Sequence, residues 1–169
     1  MSKIFIIDDD PVYHKIAQMI IRKNKLFEDC TGYEKARPAL DYLIAHKNNH
    51  DALPDLILLD LNMPEMDGWN FLCIFEDLLP FLAKQVDVFI VTSSIDPDDK
   101  LRSMAYPFVQ GFISKPLSVK ALRGISNFAT NNSIVYHNLR LLGSVLTDSV
   151  AGLSTPSENP NSSSTLPPY

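Results

Sequence analysis

The sequence predicts an α/β fold, a doubly wound five-stranded parallel sheet with helices on both faces. Three observations carry that expectation. The apolar runs at 4–7, 56–59 and 88–91 are continuous rather than alternating, as in strands covered on both faces. Strand-length runs alternate with segments of three-and-four apolar spacing, five of each, which is the pattern of a parallel sheet built from right-handed crossovers. Acidic, hydroxyl or basic residues close the strands, and in a parallel sheet those carboxyl ends share one edge, where such folds place ligand sites.

At 169 residues, 46% hydrophobic and 21% charged, the chain suits one globular domain with a proper core. It has no apolar run of 18 or more residues, and Met1-Ser2-Lys3 leads directly into a strand without a cleavage signal. The expectation is cytoplasmic residence without membrane attachment. A net charge of −5 with scattered basic residues argues against a nucleic-acid surface. Cys30 and Cys73 lack metal-site or disulfide spacing and read as small buried hydrophobes.

The first strand covers residues 3–8 and runs into Asp8-Asp9-Asp10. Asp10 caps, and Pro11 opens, a helix over about 11–24. Its spacing puts Val12, Ile16, Met19 and Ile20 on one stripe, while His14, Ala17 and Ile21 form a second stripe, either extra core or an exposed docking face. Leu26 to Thr31 reads as a polar edge strand punctuated by Gly32. A helix from Tyr33 to about Lys47 follows, with Ala36, Ala39, Leu40, Leu43 and Ile44 inward and Pro38 disturbing its start. The central strand, Leu56 to Leu59, ends in Asp60, whose plain reading is a cap or loop carboxylate. The loop Asn62 to Gly68 leads to a helix over Trp69–Leu79. Val86 to Thr92 is the next strand, followed by a helix from Asp96-Pro97 to about Ala105. Gln110 to Ser114 is the last strand, and Ser118 caps a final helix over 119–129, with Ala121, Leu122, Ile125 and Phe128 inward.

Domain boundaries are expected at 1–130 for the α/β unit and 131–169 for an extension. Val135, Leu139, Leu142 and Leu146 keep helical spacing and would pack on the domain or on a second copy in a homodimer. Residues 154–169 carry no buried-face pattern and read as disordered.

Asp8 and Asp9, Asp60, Thr92 and Lys115 stand at the ends of successive strands. Each has an ordinary explanation as a cap or loop residue, but independent caps have no reason to recur on every inner strand. Three clustered carboxylates repel one another unless a cation joins them, and a hard, oxygen-seeking divalent ion such as Mg2+ is the natural remedy. Magnesium shares its remaining positions readily with a phosphoryl group, for which a lysine and a hydroxyl complete the cradle.

The motifs Ile7-Asp8-Asp9-Asp10, Leu58-Leu59-Asp60-Leu61-Asn62-Met63-Pro64-Glu65-Met66-Asp67-Gly68, Val91-Thr92-Ser93 and Gly111-Phe112-Ile113-Ser114-Lys115-Pro116 resemble those of receiver domains of two-component response regulators, over about residues 1–130. The resemblance implies a flavodoxin-like (βα)5 fold with strand order 2-1-3-4-5 and a cis Lys115–Pro116 bond. It also implies that Asp60 is the phosphoacceptor and that Asp9, Asp60 and the Asn62 carbonyl hold Mg2+, with Asp8 acting through water. Thr92 and Lys115 would meet the phosphoryl oxygens, and Phe112 would be the switch aromatic. A histidine kinase or histidine phosphotransfer protein would be the donor, and an unidentified protein the downstream reader. With no output domain recognisable after residue 130, the expectation is a stand-alone receiver with slow self-dephosphorylation. A magnesium-dependent phosphohydrolase using an aspartyl phosphate is the rival from another class. It wants an acid two residues after its nucleophile, where this chain has Asn62. A structural pseudo-receiver is disfavoured by retention of the whole acid, hydroxyl and lysine set.

Overall fold

The computed structural model describes residues 2–132. Five strands, β1 (Lys3–Ile7), β2 (Asp29–Tyr33), β3 (Leu56–Leu59), β4 (Asp87–Thr92) and β5 (Val109–Ser114), form one sheet in the order β2-β1-β3-β4-β5. All four pairings are parallel, as expected for a doubly wound flavodoxin-like fold. The helices are α1 (Pro11–Asn24), α2 (Ala36–Ala45), α3 (Gly68–Leu78), α4 (Pro97–Ser103) and α5, which occupies 119–132. A single 3-10 turn, Leu79–Phe81, follows α3. The Lys115–Pro116 bond is cis. The expected helical stretch through Val135 and Leu146, and the tail after it, lie outside the described residues.

The two-sided burial inferred from the apolar runs is borne out. Every residue of β3 and β4 is buried, and β1 is buried from Ile4 onward. Alternate strand residues feed opposite layers. Phe5, Ile7, Ile57, Leu59, Val88 and Ile90 pack with α2 and α3, while Ile4, Ile6, Leu56, Leu58, Phe89 and Val91 pack with α1 and α5. The edge strands β2 and β5 are mostly half-exposed, which suits their more polar sequences.

The structure decides between the two readings of the second α1 stripe, which is core, and turns the first stripe outward. His14, Ala17 and Ile21 are the buried residues of the helix, whereas Val12, Ile16 and Met19 are 60%, 51% and 66% exposed. Both stripes have helical spacing, so periodicity alone does not choose between them. The choice is made by His14, whose ring nitrogen Nε2 donates to the Asp8 carbonyl at 2.6 Å and so satisfies a polar group beneath the sheet. Gly32 lies inside β2 rather than ending it, and a Cβ there would meet His14 Nδ1 at 2.5 Å, so the buried imidazole requires a glycine opposite it. The same shift of β2 delays α2 to Ala36. Pro38 then falls in the first turn, where its missing N–H has no intrahelical acceptor to lose. Ile44 is exposed rather than inward, as is Cys73, while Cys30 is half-buried and burial pushes its thiol up to about 11. Among the described residues, no helix is long and apolar enough to cross a membrane.

Mutagenesis separates the two faces of α1. Ile21→Ala should cost about 2–5 kcal/mol of unfolding free energy as a fully buried truncation, and Met19→Ala about 0.5 kcal/mol or less as a surface change. Denaturant titration of the two variants decides the matter, and the reverse ranking would make the stripe of Val12, Ile16 and Met19 the core face.

Candidate functional site

The loops after β1, β3, β4 and β5 bring the expected residues to one edge of the sheet. Asp8 and Asp60 are buried, at 1% and 5% exposure, and Thr92 is fully buried. The Asp60 N–H donates to the Ile7 carbonyl at 2.9 Å, so β1 carries β3 one residue past the ladder and fixes where the carboxylate emerges. Asp9 is exposed, yet Asp8, Asp9 and Asp60 each offer an oxygen within 4.8 Å of the others. Lys115 answers that charge directly. Its Nζ donates to Asp8 Oδ2 at 2.6 Å and to Asp60 Oδ2 at 2.8 Å.

The electrostatics follow from burial and this bridge. Burial pushes the Asp8 carboxyl up, and the bonds it accepts from Lys115 and from the Asp10 N–H offset that only in part. Burial also works against the Lys115 ammonium, but its bonds to Asp60 and Asp8 prevail and hold its pKa above the usual lysine value. The cluster therefore keeps its ammonium charged at neutral pH.

Asn62 lies close beside this pair. Its backbone N–H donates to Asp60 Oδ1 at 3.3 Å, and its side-chain amide reaches Thr92 Oγ1 at 3.5 Å. Thr92 Oγ1 also accepts from the Ser94 N–H at 3.2 Å, so Thr92 acts as acceptor in both bonds and its own proton is left to donate elsewhere. The Lys115 N–H donates to the Thr92 carbonyl at 2.9 Å, which ties β5 to β4 at the site. The loop from Asn62 closes through Gly68, whose N–H donates to the Leu61 carbonyl at 2.9 Å. A Cβ at Gly68 would stand 2.4 Å from the Asp60 carbonyl oxygen, so only glycine lets α3 start so close to the end of β3. Asp67 then caps α3 by accepting from the Asn70 N–H at 2.7 Å.

The structure thus gathers Asp8, Asp9, Asp60, Asn62, Thr92 and Lys115. Phe112 is set apart on β5, half-buried against the layer formed with α2 and α3. Two residues at the site are not assigned to it from the sequence, although His14 reads as part of a helical stripe. His14 holds the carbonyl of Asp8, and Tyr13 places its ring under the Lys115 ammonium, 4.7 Å from Nζ to the ring centroid. The only sequence signal for either was position, one turn into a helix that begins at the acidic edge. In donor chemistry, three carboxylate oxygens within reach of one another fit a hard divalent cation such as Mg2+, which Asp8, Asp9 and Asp60 would hold.

Comparison with known proteins agrees with this geometry. The model of the response regulator receiver domain matches residues 4–126. Two-component response regulators of Oryza sativa subsp. japonica are similar in sequence. ORR26 is 30% identical over 73% of this chain and 19% of its own length, and ORR1 is 25% identical over 79% and 57%. The chain therefore spans less than two thirds of either relative. Among solved structures, a two-component response regulator from Cytophaga hutchinsonii superposes with a TM-score of 0.70 at 27% identity, covering 78% of this chain and 98% of that one. A response regulator from Legionella pneumophila gives 0.66 at 25% identity, over 78% and 99%. A further neighbour, a response regulator solved in its Mn2+-bound form, shares the fold at a TM-score of 0.62 and 22% identity, over 76% and 94%. Two buried acids bridged by a lysine at the edge of a 2-1-3-4-5 sheet, in a chain matched across residues 4–126, place this protein in the receiver-domain family of two-component response regulators.

Proposed function

We propose that Asp60 accepts a phosphoryl group from a phosphohistidine, on a histidine kinase or a histidine phosphotransfer protein, and that the resulting aspartyl phosphate switches the binding of a downstream protein. The observation that carries this reading is the Lys115 ammonium spanning Asp8 and Asp60 beside the buried Thr92 hydroxyl. In the transfer, an Asp60 carboxylate oxygen attacks phosphorus and the P–N bond breaks. The donor nitrogen leaves with the bonding pair, as neutral imidazole when its other ring nitrogen carries a proton. Lys115 and Thr92 donate to the phosphoryl oxygens, where fixed donors in a buried site stabilise the developing charge. Asp9, Asp60 and the Asn62 carbonyl would hold Mg2+ directly and Asp8 would act through water; when bound, the ion would neutralise charge on the transferring group. Slow self-dephosphorylation follows when water attacks phosphorus, the bond to Asp60 breaks, and inorganic phosphate leaves.

The donor must reach an acid that is nearly buried, so it must dock beside the loop edge. The exposed apolar stripe Val12, Ile16 and Met19 begins one turn from Asp9 and is flanked by exposed Lys15 and Lys23. This face suits an apolar, acid-bordered helical surface on the donor. We place the protein in the cytoplasm, where histidine donors of this type are phosphorylated from ATP.

Incubation with Mg2+ and acetyl phosphate, read by intact mass, should add one phosphate to the wild type and none to Asp60→Asn. Equal labelling of the two would remove Asp60 from the role. Lys115→Met should lower stability by about 3–5 kcal/mol without divalent ion, because it leaves two buried acids without their countercharge. The same variant should bind Mg2+ more tightly than wild type, since the competing ammonium is gone, and show a larger rise in Tm on Mg2+ titration. An unchanged Mg2+ response would separate the lysine from the ion site.

The switch is expected to leave Thr92 along two paths, one through Ser94 toward α4 and one through the space behind β4 to Phe112. Hydrogen exchange on adding beryllofluoride should change at the site loops, α4 and β5 in wild type. In Phe112→Ala the change in β5 should vanish while the site loops still respond. Persistence of the β5 change would exclude Phe112 from the output.

A further inference from the structure

Lys115 carries a flexible four-carbon stem, and the two carboxylates use only two of its three N–H donors. The ammonium also lies over the face of Tyr13, 4.7 Å from Nζ to the ring centroid, within the range of a cation–π contact. The ring is held in place from three directions. Asp10 accepts from the Tyr13 N–H at 3.2 Å and pins the backbone into the first turn of α1. The side chain packs against the layer built from Ile4, Ile6, Ala17 and Leu58, and Lys115 closes it from the side of the site. The hydroxyl is buried with no hydrogen-bond partner among the described residues. Burial first, then the charges of Asp8 and Asp60, push its pKa well above that of an ordinary phenol, so it stays neutral. The contact with Lys115 is made by the ring face, while the hydroxyl has no partner to serve among the described residues.

We propose that Tyr13 is a positioning residue for phosphoryl transfer, its ring face serving as the seat that fixes the Lys115 ammonium between Asp8 and Asp60. This rests on the reading above that Lys115 meets the phosphoryl oxygens. As the phosphoryl group arrives, Nζ must turn donors from carboxylate to phosphoryl oxygen without drifting toward solvent, and the ring holds it by a contact that does not depend on which oxygens are present. No bond to Tyr13 forms or breaks.

The test compares Tyr13→Phe, which keeps the ring, with Tyr13→Leu, which keeps apolar bulk and loses the π face. Tyr13→Phe should label with acetyl phosphate and Mg2+ at the wild-type maximal rate and be no less stable. Tyr13→Leu should lose about five- to thirtyfold in that rate, because an unseated ammonium drifts toward solvent and must be ordered again at the phosphoryl group, at a cost on the order of one cation–π contact. The second readout is the Lys115 ε-methylene proton shift by NMR, which needs no activity. It should lie upfield in wild type and Tyr13→Phe from the ring current and return to the ordinary lysine position in Tyr13→Leu. In a Lys115→Met background, Tyr13→Leu should cause no further loss of rate. Should Tyr13→Leu fail to fold, Tyr13→Met takes its place with the same expectations. Wild-type rate and an unshifted Lys115 resonance in the ring-free variant would overturn the proposal, as would an equal loss of rate in Tyr13→Phe. Failure of the underlying reading is distinguishable, because Lys115→Met would then label as fast as wild type whatever Tyr13 does.

Discussion

The ion cluster joining Lys115 to Asp8 and Asp60 is the constraint to which the rest of the structure answers. Two carboxylates at 1% and 5% exposure are costly to bury, and breaking such a cluster by removing one partner is strongly destabilising. The strands end where they do for this reason. β1 delivers Asp8, β3 delivers Asp60 one residue past its ladder, and β5 ends at Ser114, immediately before the lysine that reaches across both. Around the cluster, positions that would otherwise tolerate variety are narrowed. Gly68 is fixed by the 2.4 Å approach to the Asp60 carbonyl, and the Asp8 carbonyl is held from below by His14. Tyr13 occupies the space on the far side of the ammonium.

The fold was legible because its signal is redundant. Continuous apolar runs at β1, β3 and β4 can only be satisfied with a helical layer on each side, and alternate residues of those strands do feed two layers. The site was legible for a related reason, since a parallel sheet sends every strand's carboxyl end to the same edge. What sequence could not rank were two helical stripes of equal periodicity on α1. Val12, Ile16 and Met19 are the more apolar set, yet the stripe containing a histidine is the buried one. A hydrogen bond to a backbone carbonyl makes His14 cheaper to bury than its polarity suggests, and that partner is visible only in three dimensions. The displaced β2 has the same origin. Gly32 reads as punctuation until the imidazole facing it is known.

Tyr13 illustrates the remaining gap. An aromatic one turn into an amphipathic helix carries no sequence mark separating a core residue from one that faces the site lysine, because both demand the same bulk. The distinction lies in what sits above the ring, and that is decided by a residue 102 positions later, at the end of the last strand. Local pattern therefore recovers the groups that carry charge and misses the neutral surface that holds one of them in place.

The same site also bears on how it could be read from outside. α4 is only seven residues long and buries a single side chain, Ser103, while Ile95 just before it and Leu101 within it are 96% and 68% exposed. Hydrophobic burial therefore does little to hold this helix. Its anchors are polar or aromatic. The Arg102 guanidinium stacks over Trp69 at 4.2 Å, and the Ser94 hydroxyl donates to Asp99. Ser94 in turn gives its N–H to Thr92 Oγ1. A weakly buried element held by a few specific contacts belongs to the low-stability end of a fold, where small free-energy changes shift populations. On the proposed reading, a phosphoryl group on Asp60 redirects the Thr92 hydroxyl and disturbs the acceptor that Ser94 uses, so the first element affected is the one with least burial to resist. The apolar residues that α4 already exposes are then the ones whose arrangement a partner would sense.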